Sequence, residues 1–132
     1  MSRRDDWVAQ MWLIIEDHAE VPFMWGINDC CLFSARVVDA MTDGDFELSL
    51  LAAYSDEETA LAYIASHGSL EAAVTSHLGE PAEGRAQRGD VVMVDGGAGH
   101  ALSICVGSTV AVVQEQGLLY LPRSAIITRW AI

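Results

Sequence analysis

Apolar residues recur at helical intervals through the first half of the chain and gather into short β-branched runs in the second. Trp7, Met11, Ile14 and Ile15 fall at i, i+4, i+7 and i+8, the spacing of one helix face. Asp5 or Asp6 can cap that helix, and Pro22 breaks the chain shortly after Glu20. A second helical pattern carries Leu32, Phe33, Ala35, Val37, Val38 and Met41, begins at Asn28 or Asp29 as cap, and stops at TDGD. In SDEETALAYIASHG, Ser55 followed by Glu58 predicts a capping box before a run ending at Gly68; SLEAAVTSHLG repeats the arrangement more briefly. The residues between Gly44 and Ser55 read as a polar, leucine-rich connection. Beyond the linker EPAEGRAQRGD come Val91–Val94, Ala101–Val106, Val110–Gln114, Leu118–Leu121 and Ile126–Trp130, separated by Gly or Pro turn signals as antiparallel strands are. Helices over about 5–78 followed by strands over about 90–130 predict an α+β fold, the helices packed on a small antiparallel sheet.

Composition narrows this picture. A chain of 132 residues, 52% of them hydrophobic, has the size and apolar content of a single domain, residues 1–132. Nineteen acidic residues against 7 basic ones give a net charge of −12 and disfavour nucleic acid and anionic membrane surfaces as partners. The longest apolar run near the N-terminus, Met11 to Ile15, is too short for a secretory leader or a membrane span, so synthesis in the cytoplasm is expected. With 3 cysteines, two of them adjacent, a disulfide framework is not expected.

Cys30 and Cys31 open the second helix. A cysteine attacks as its thiolate, and a helix N-terminus favours that anion through its unpaired backbone N–H groups. Cys31 points about 100° around the helix from Cys30, so one sulfur of the pair faces a given cleft. The alternative for either is a small buried hydrophobe, the reading that also suits Cys105 in mid-strand. A zinc site from Cys30, Cys31, Cys105 and His100 is conceivable but lacks metal-ligand spacing. His18, His67 and His77 sit at helix C-termini and read as structural. Trp130 reads as core; Trp25 is either core or cleft wall. Gly26 is expected to adopt an unusual backbone conformation just before the cap.

PFMWGINDCCLF, followed by RGDVVMV and then GHALSICVG, resembles the NlpC-type cell-wall peptidases, papain-like cysteine enzymes. The short phage-associated relatives with a Trp-Gly-x-x-Asp-Cys pattern are more similar still. That resemblance implies Cys30 as nucleophile, His100 as base and Gln114 as the residue orienting the imidazole, with Glu115 the alternative. It implies Trp25, Gly26 and Asp29 on the substrate side, Gly89-Asp90 opening the strand before the histidine, and neither metal nor cofactor. The implied reaction is amide hydrolysis in peptidoglycan stem peptides through a thioester, delivered by a phage tail or tail-like particle. A catalytically silent tail module is the alternative. Three departures are visible. The family strand His-Val-Gly-Ile-Tyr-x-Gly, laid without gaps on ALSICVG, puts Ala101 in the histidine position, and one residue in a strand reverses the face. A glycine-rich approach, DGGAG, or a bulge could re-aim His100. Phe23 stands where a tyrosine hydroxyl is common, and Cys31 replaces a small residue.

Overall fold

Helices α1 (Trp7–His18), α2 (Cys30–Thr42), α3 (Phe46–Ala53), α4 (Glu57–His67) and α5 (Leu70–Leu78) precede strands β1 (Val91–Asp95), β2 (His100–Cys105), β3 (Thr109–Gln114), β4 (Gly117–Pro122) and β5 (Ile126–Trp130). The structure, a computed structural model, describes residues 2–96 and 99–132. Gly97 and Ala98 of the glycine-rich approach to His100 lie outside the described residues. The fold is α+β, with the five strands in one antiparallel sheet ordered β4-β3-β2-β1-β5.

Helix α2 is central because its apolar positions nearly encircle it: Leu32, Phe33, Ala35, Val37, Val38 and Met41 are all buried. It packs between α1 and the sheet, meeting Val91, Met93, Leu102, Ile104, Ala111 and Val113. Alternate strand residues, Val92, Val94, Cys105, Val110 and Val112, form a smaller core on the opposite face with Ala86 and Leu121. Burial on both faces explains why these strands read as continuous apolar runs rather than alternating ones.

Local pattern and structure part company at three helices. The leucine-rich stretch between Gly44 and Ser55 is not a plain connection but contains α3, whose leucines do not form one stripe: Phe46 and Leu50 are buried while Leu48 and Leu51 are exposed. Its N-terminal N–H groups are capped from another helix, with the Asp39 carboxylate accepting from Phe46 and Glu47, both at 2.9 Å. The capping box of α4 lies one residue later than Ser55 and Glu58: Asp56 and Thr59 exchange the reciprocal bonds. Asp6 is the N-cap residue of α1 but makes no capping bond, its carboxylate being held by Arg4 and Gln10.

Two features of the sheet decide where His100 and Gln114 lie. The β1–β2 pairing runs without a bulge from Val91↔Ile104 to Asp95↔His100. His100 therefore keeps the parity of Leu102 and Ile104, on the α2 side, while Ala101 shares the parity of Ser103 and Cys105. The offset from the family strand does not send His100 to the far face. Meanwhile β2 pairs with β3 only at Ile104↔Ala111 and Cys105↔Val110, so the two strands part toward His100 and Gln114.

Candidate active site

The loop before α2 is fixed by buried polar groups. Asp29 is 1% exposed, and its carboxylate accepts from the Leu32 N–H at 2.9 Å, the Gly26 N–H at 3.0 Å and the Tyr54 hydroxyl at 2.9 Å. Burial, then the charges of Cys31 and Asp29, push the Tyr54 phenol well above its ordinary range, which keeps it a hydrogen-bond donor. Asn28, also buried, donates to the carbonyls of Val21 and Pro22 at 3.2 Å, and Arg36 donates to the Ile27 carbonyl at 2.6 Å. Asp29 is thus the cap residue of α2, and Cys30 is its first helical residue. Neither Gly26 nor Asp29 lines the adjoining cavity; they set the backbone that presents Cys30.

The two sulfurs differ in surroundings. Cys31 beside it, and then the Leu102 backbone, lower the Cys30 thiol from its ordinary value against the opposing effects of burial and Asp29. Cys31 is pushed well above its ordinary value, first by Cys30 and then by burial. Cys30 is also the sulfur at the helix start, and the anion is assigned to it. Alkylation of Cys30 by iodoacetamide should accordingly show a midpoint below that of a free cysteine. Cys31→Ala, which removes the neighbour with the largest effect, should move that midpoint upward; a midpoint at the free value in both proteins would contradict the assignment.

Helix α2 packs against β2, with Cys30 and Leu102 in the same core. His100 is two residues up the same face, about 6.6 Å of strand away. Cys30 and His100 line one cavity of about 530 Å³, as do Trp25, Gln114 and Glu115. Trp25 meets Phe23 edge-on at 5.1 Å, and Phe23 brings a bare ring to the wall where a hydroxyl would need tyrosine. The carbonyl of Gln114 accepts the Phe23 N–H at 3.0 Å, tying this loop to the end of β3. Gln114 has the parity of Val110 and Val112, on the face away from α2; Glu115 follows at the turn. Continued past Ile104↔Ala111, the β2–β3 register would put Glu115 across from His100 and Gln114 across from Ala101.

Away from β2 the cavity is walled by α3, α4 and α5, with Phe46, Leu50, Leu61, Ile64, Leu70, Ala73 and Val74 toward it. One polar pair interrupts this wall, the Tyr63 hydroxyl and His77 Nε2 at 2.5 Å, with the Phe46 ring 4.7 Å from the imidazole. Burial, then the charge of His67, lowers the pKa of His77, so it is neutral near pH 7. Tyr54, Tyr63 and the cavity position of His77 had no local signal in the sequence, since the elements carrying them meet only in the fold. Cys105 packs in the smaller core across the sheet from Cys30, which separates the sulfurs of the conceivable zinc set. Trp130 is buried, its indole N–H donating to Thr75 at 3.2 Å. Among the described residues no helix is long and apolar enough to cross a membrane.

A family described as a domain of unknown function (DUF6950) matches residues 2–132. No curated protein matches the chain.

Proposed function

The chain belongs to that DUF6950 family, whose description states no activity, and from the site we propose a papain-like, NlpC-type cysteine hydrolase that cleaves amide bonds in peptidoglycan stem peptides. The observation that carries this reading is the position of Cys30: first residue of α2, which packs against β2, in one cavity with His100 on the α2 side of the sheet. His100 takes the thiol proton, and the thiolate adds to the amide carbon. The oxyanion so formed lies at the helix start, where the Cys30 N–H is among the groups without an intrahelical partner. His100 then gives its proton to the departing amine, leaving a thioester on Cys30. Water adds to that thioester while His100 takes one of its protons; the C–S bond breaks, His100 returns that proton to the sulfur, and the acid leaves as a carboxylate, its remaining proton lost to solvent. Glu115, which the continued β2–β3 register sets across from His100, accepts the other ring N–H and holds the tautomer.

Purified cell walls test this. Wild type should lower their turbidity, Cys30→Ser should not, and His100→Ala should retain at most about one hundredth of the rate. Equal, null traces from wild type and Cys30→Ser would overturn the reading in favour of a catalytically silent module of a phage tail. That second reading draws on the parity of Gln114, which turns the expected orienting residue away from the face that His100 occupies.

A further inference from the structure

We infer that the part of the stem peptide received by the cavity carries a net positive charge: a free amino group, with any carboxyl group beside it amidated. For the peptide this rests on the hydrolase reading; for the charge it rests on where the fold puts its own charges. All 7 basic residues of the chain are arginines, and none lines the cavity among the described residues. Arg3, Arg88, Arg123 and Arg129 gather at the end of the sheet away from His100. Arg123 donates to the carbonyls of Gly107 and Ala86, and Arg129 pairs with Asp90. Arg3 reaches Asp90 and the Arg88 carbonyl, and the Arg88 side chain lies beside Gly107. Arg4 is held by Asp6 and Asp43 past the last turn of α2, and Arg36 is matched by Glu47. Arg85 is exposed in the linker before β1.

Acidic groups hold the other end. Glu115 lines the cavity at the turn after β3, where the continued register sets it across from His100. Glu20 follows Ala19, whose carbonyl accepts the Leu118 N–H, so it stands beside the start of β4 at the same end. Asp29 precedes Cys30, and the groups that bond its carboxylate, two backbone N–H groups and the Tyr54 hydroxyl, are all neutral. Of the histidines in the cavity wall, His77 is neutral near pH 7, and a proton on His100 is outnumbered by the Cys30 thiolate and Glu115 together. A carboxylate arriving here meets like charge and no guanidinium; an ammonium meets attraction, which the walls of a cleft focus.

Thiol reagents of opposite charge read this field without any turnover. The trimethylammonium-ethyl and sulfonato-ethyl methanethiosulfonates label cysteine, each site being assigned by peptide mass spectrometry and its rates divided by those of the urea-unfolded chain. At low salt the cationic-to-anionic ratio at Cys30 should exceed its unfolded value by at least about tenfold, and it should collapse in about 1 M salt, where the screening length is about 3 Å. Ser108→Cys, at an exposed position between β2 and β3 at the arginine end, controls for the charge of the chain as a whole, and its ratio should stay near the unfolded value. Equal ratios at the two positions would overturn the inference. Calorimetry on Cys30→Ser tests the peptide, with Ala-γ-Glu-Lys-Ala amidated at the glutamate α-carboxyl as the probe. Acetylating the lysine amine should weaken binding at least about tenfold, and so should restoring the free glutamate carboxylate. Binding indifferent to either change, or no binding at all, would overturn the inference even where cell walls are cleared. The labelling asymmetry and charge-dependent binding without any clearing of cell walls would uphold it, and the hydrolase reading is then what fails.

Discussion

Gly26→Ala should cost about 3–5 kcal/mol in urea unfolding and reduce Cys30 alkylation to the rate of a free cysteine. Gly26 has φ +77°, and a Cβ built on it would lie 2.0 Å from the Ser55 carbonyl oxygen and 2.4 Å from its carbon. Two penalties combine. The left-handed backbone alone costs an L-residue about 1–2 kcal/mol. The contact is worse, because the obstacle is backbone and cannot rotate aside: either the 21–29 loop lifts or the segment entering α4 retreats. Lifting the loop withdraws the Gly26 N–H from Asp29, and Asp29 in turn holds Tyr54 and the first turn of α2. Gly68→Ala is the control. Its φ is +95° with nothing within 4 Å of the added carbon, so it should show the backbone cost alone and leave alkylation unchanged. Equal losses at both sites would mean that the approach to Ser55 does not constrain the loop.

Those two glycines also mark where sequence patterns suffice. Gly68 ends a helix, and a helical run followed by glycine shows as much without coordinates. The unusual backbone at Gly26 could be anticipated from its place before a cap, but the reason only glycine fits is Ser55, and nothing between them in the chain announces that approach. Asp29 was readable as a possible cap because it precedes an apolar period; its bond to Tyr54 spans a separation of 25 residues and was not. The five strands could be read because Gly and Pro punctuate five β-branched runs. Helix α3 could not, since its cap is the carboxylate of Asp39 on α2 and its apolar residues point both ways. The face of His100 follows from neither motif nor alignment. It follows from register against β1, where Asp95 stands opposite, and an ungapped overlay of the family strand carries no information about that register. Cys30 was prominent because its neighbours in sequence are also its neighbours in space; the Tyr63–His77 pair was hidden because α4 and α5 supply one member each.

Asp90→Ala should lower stability by about 3 kcal/mol, at the low end for breaking a buried ion pair because its arginines keep some contact with water. The Asp90 side chain is 3% exposed and accepts from Arg129 at 2.8 Å and the Gln87 N–H at 2.9 Å, with Arg3 at 3.5 Å and the Ile132 N–H at 3.4 Å. It thereby joins the N-terminal segment, the turn into β1 and the end of the chain after β5. Removing the carboxylate leaves Arg129, 15% exposed, with its Glu83 carbonyl contacts but without the Asp90 charge. Asp90→Asn keeps the shape and the acceptor for Gln87 while losing the charge, so it should fall between wild type and alanine. Arg3→Ala should cost least, since Arg3 is the more exposed partner and the more distant. The effect reaches the site through the sheet. Asp90 begins the ladder in which the Cys105 N–H donates to its carbonyl, and β1 holds β2 in the register that sets His100 on the α2 side. Alkylation of Cys30 in Asp90→Ala should therefore lose its dependence on His100 at urea concentrations where wild type keeps it. If the variant unfolded at the wild-type urea midpoint, the ion pair would be a surface contact in energetic terms, and the anchoring of β1 would have to come from its apolar residues alone.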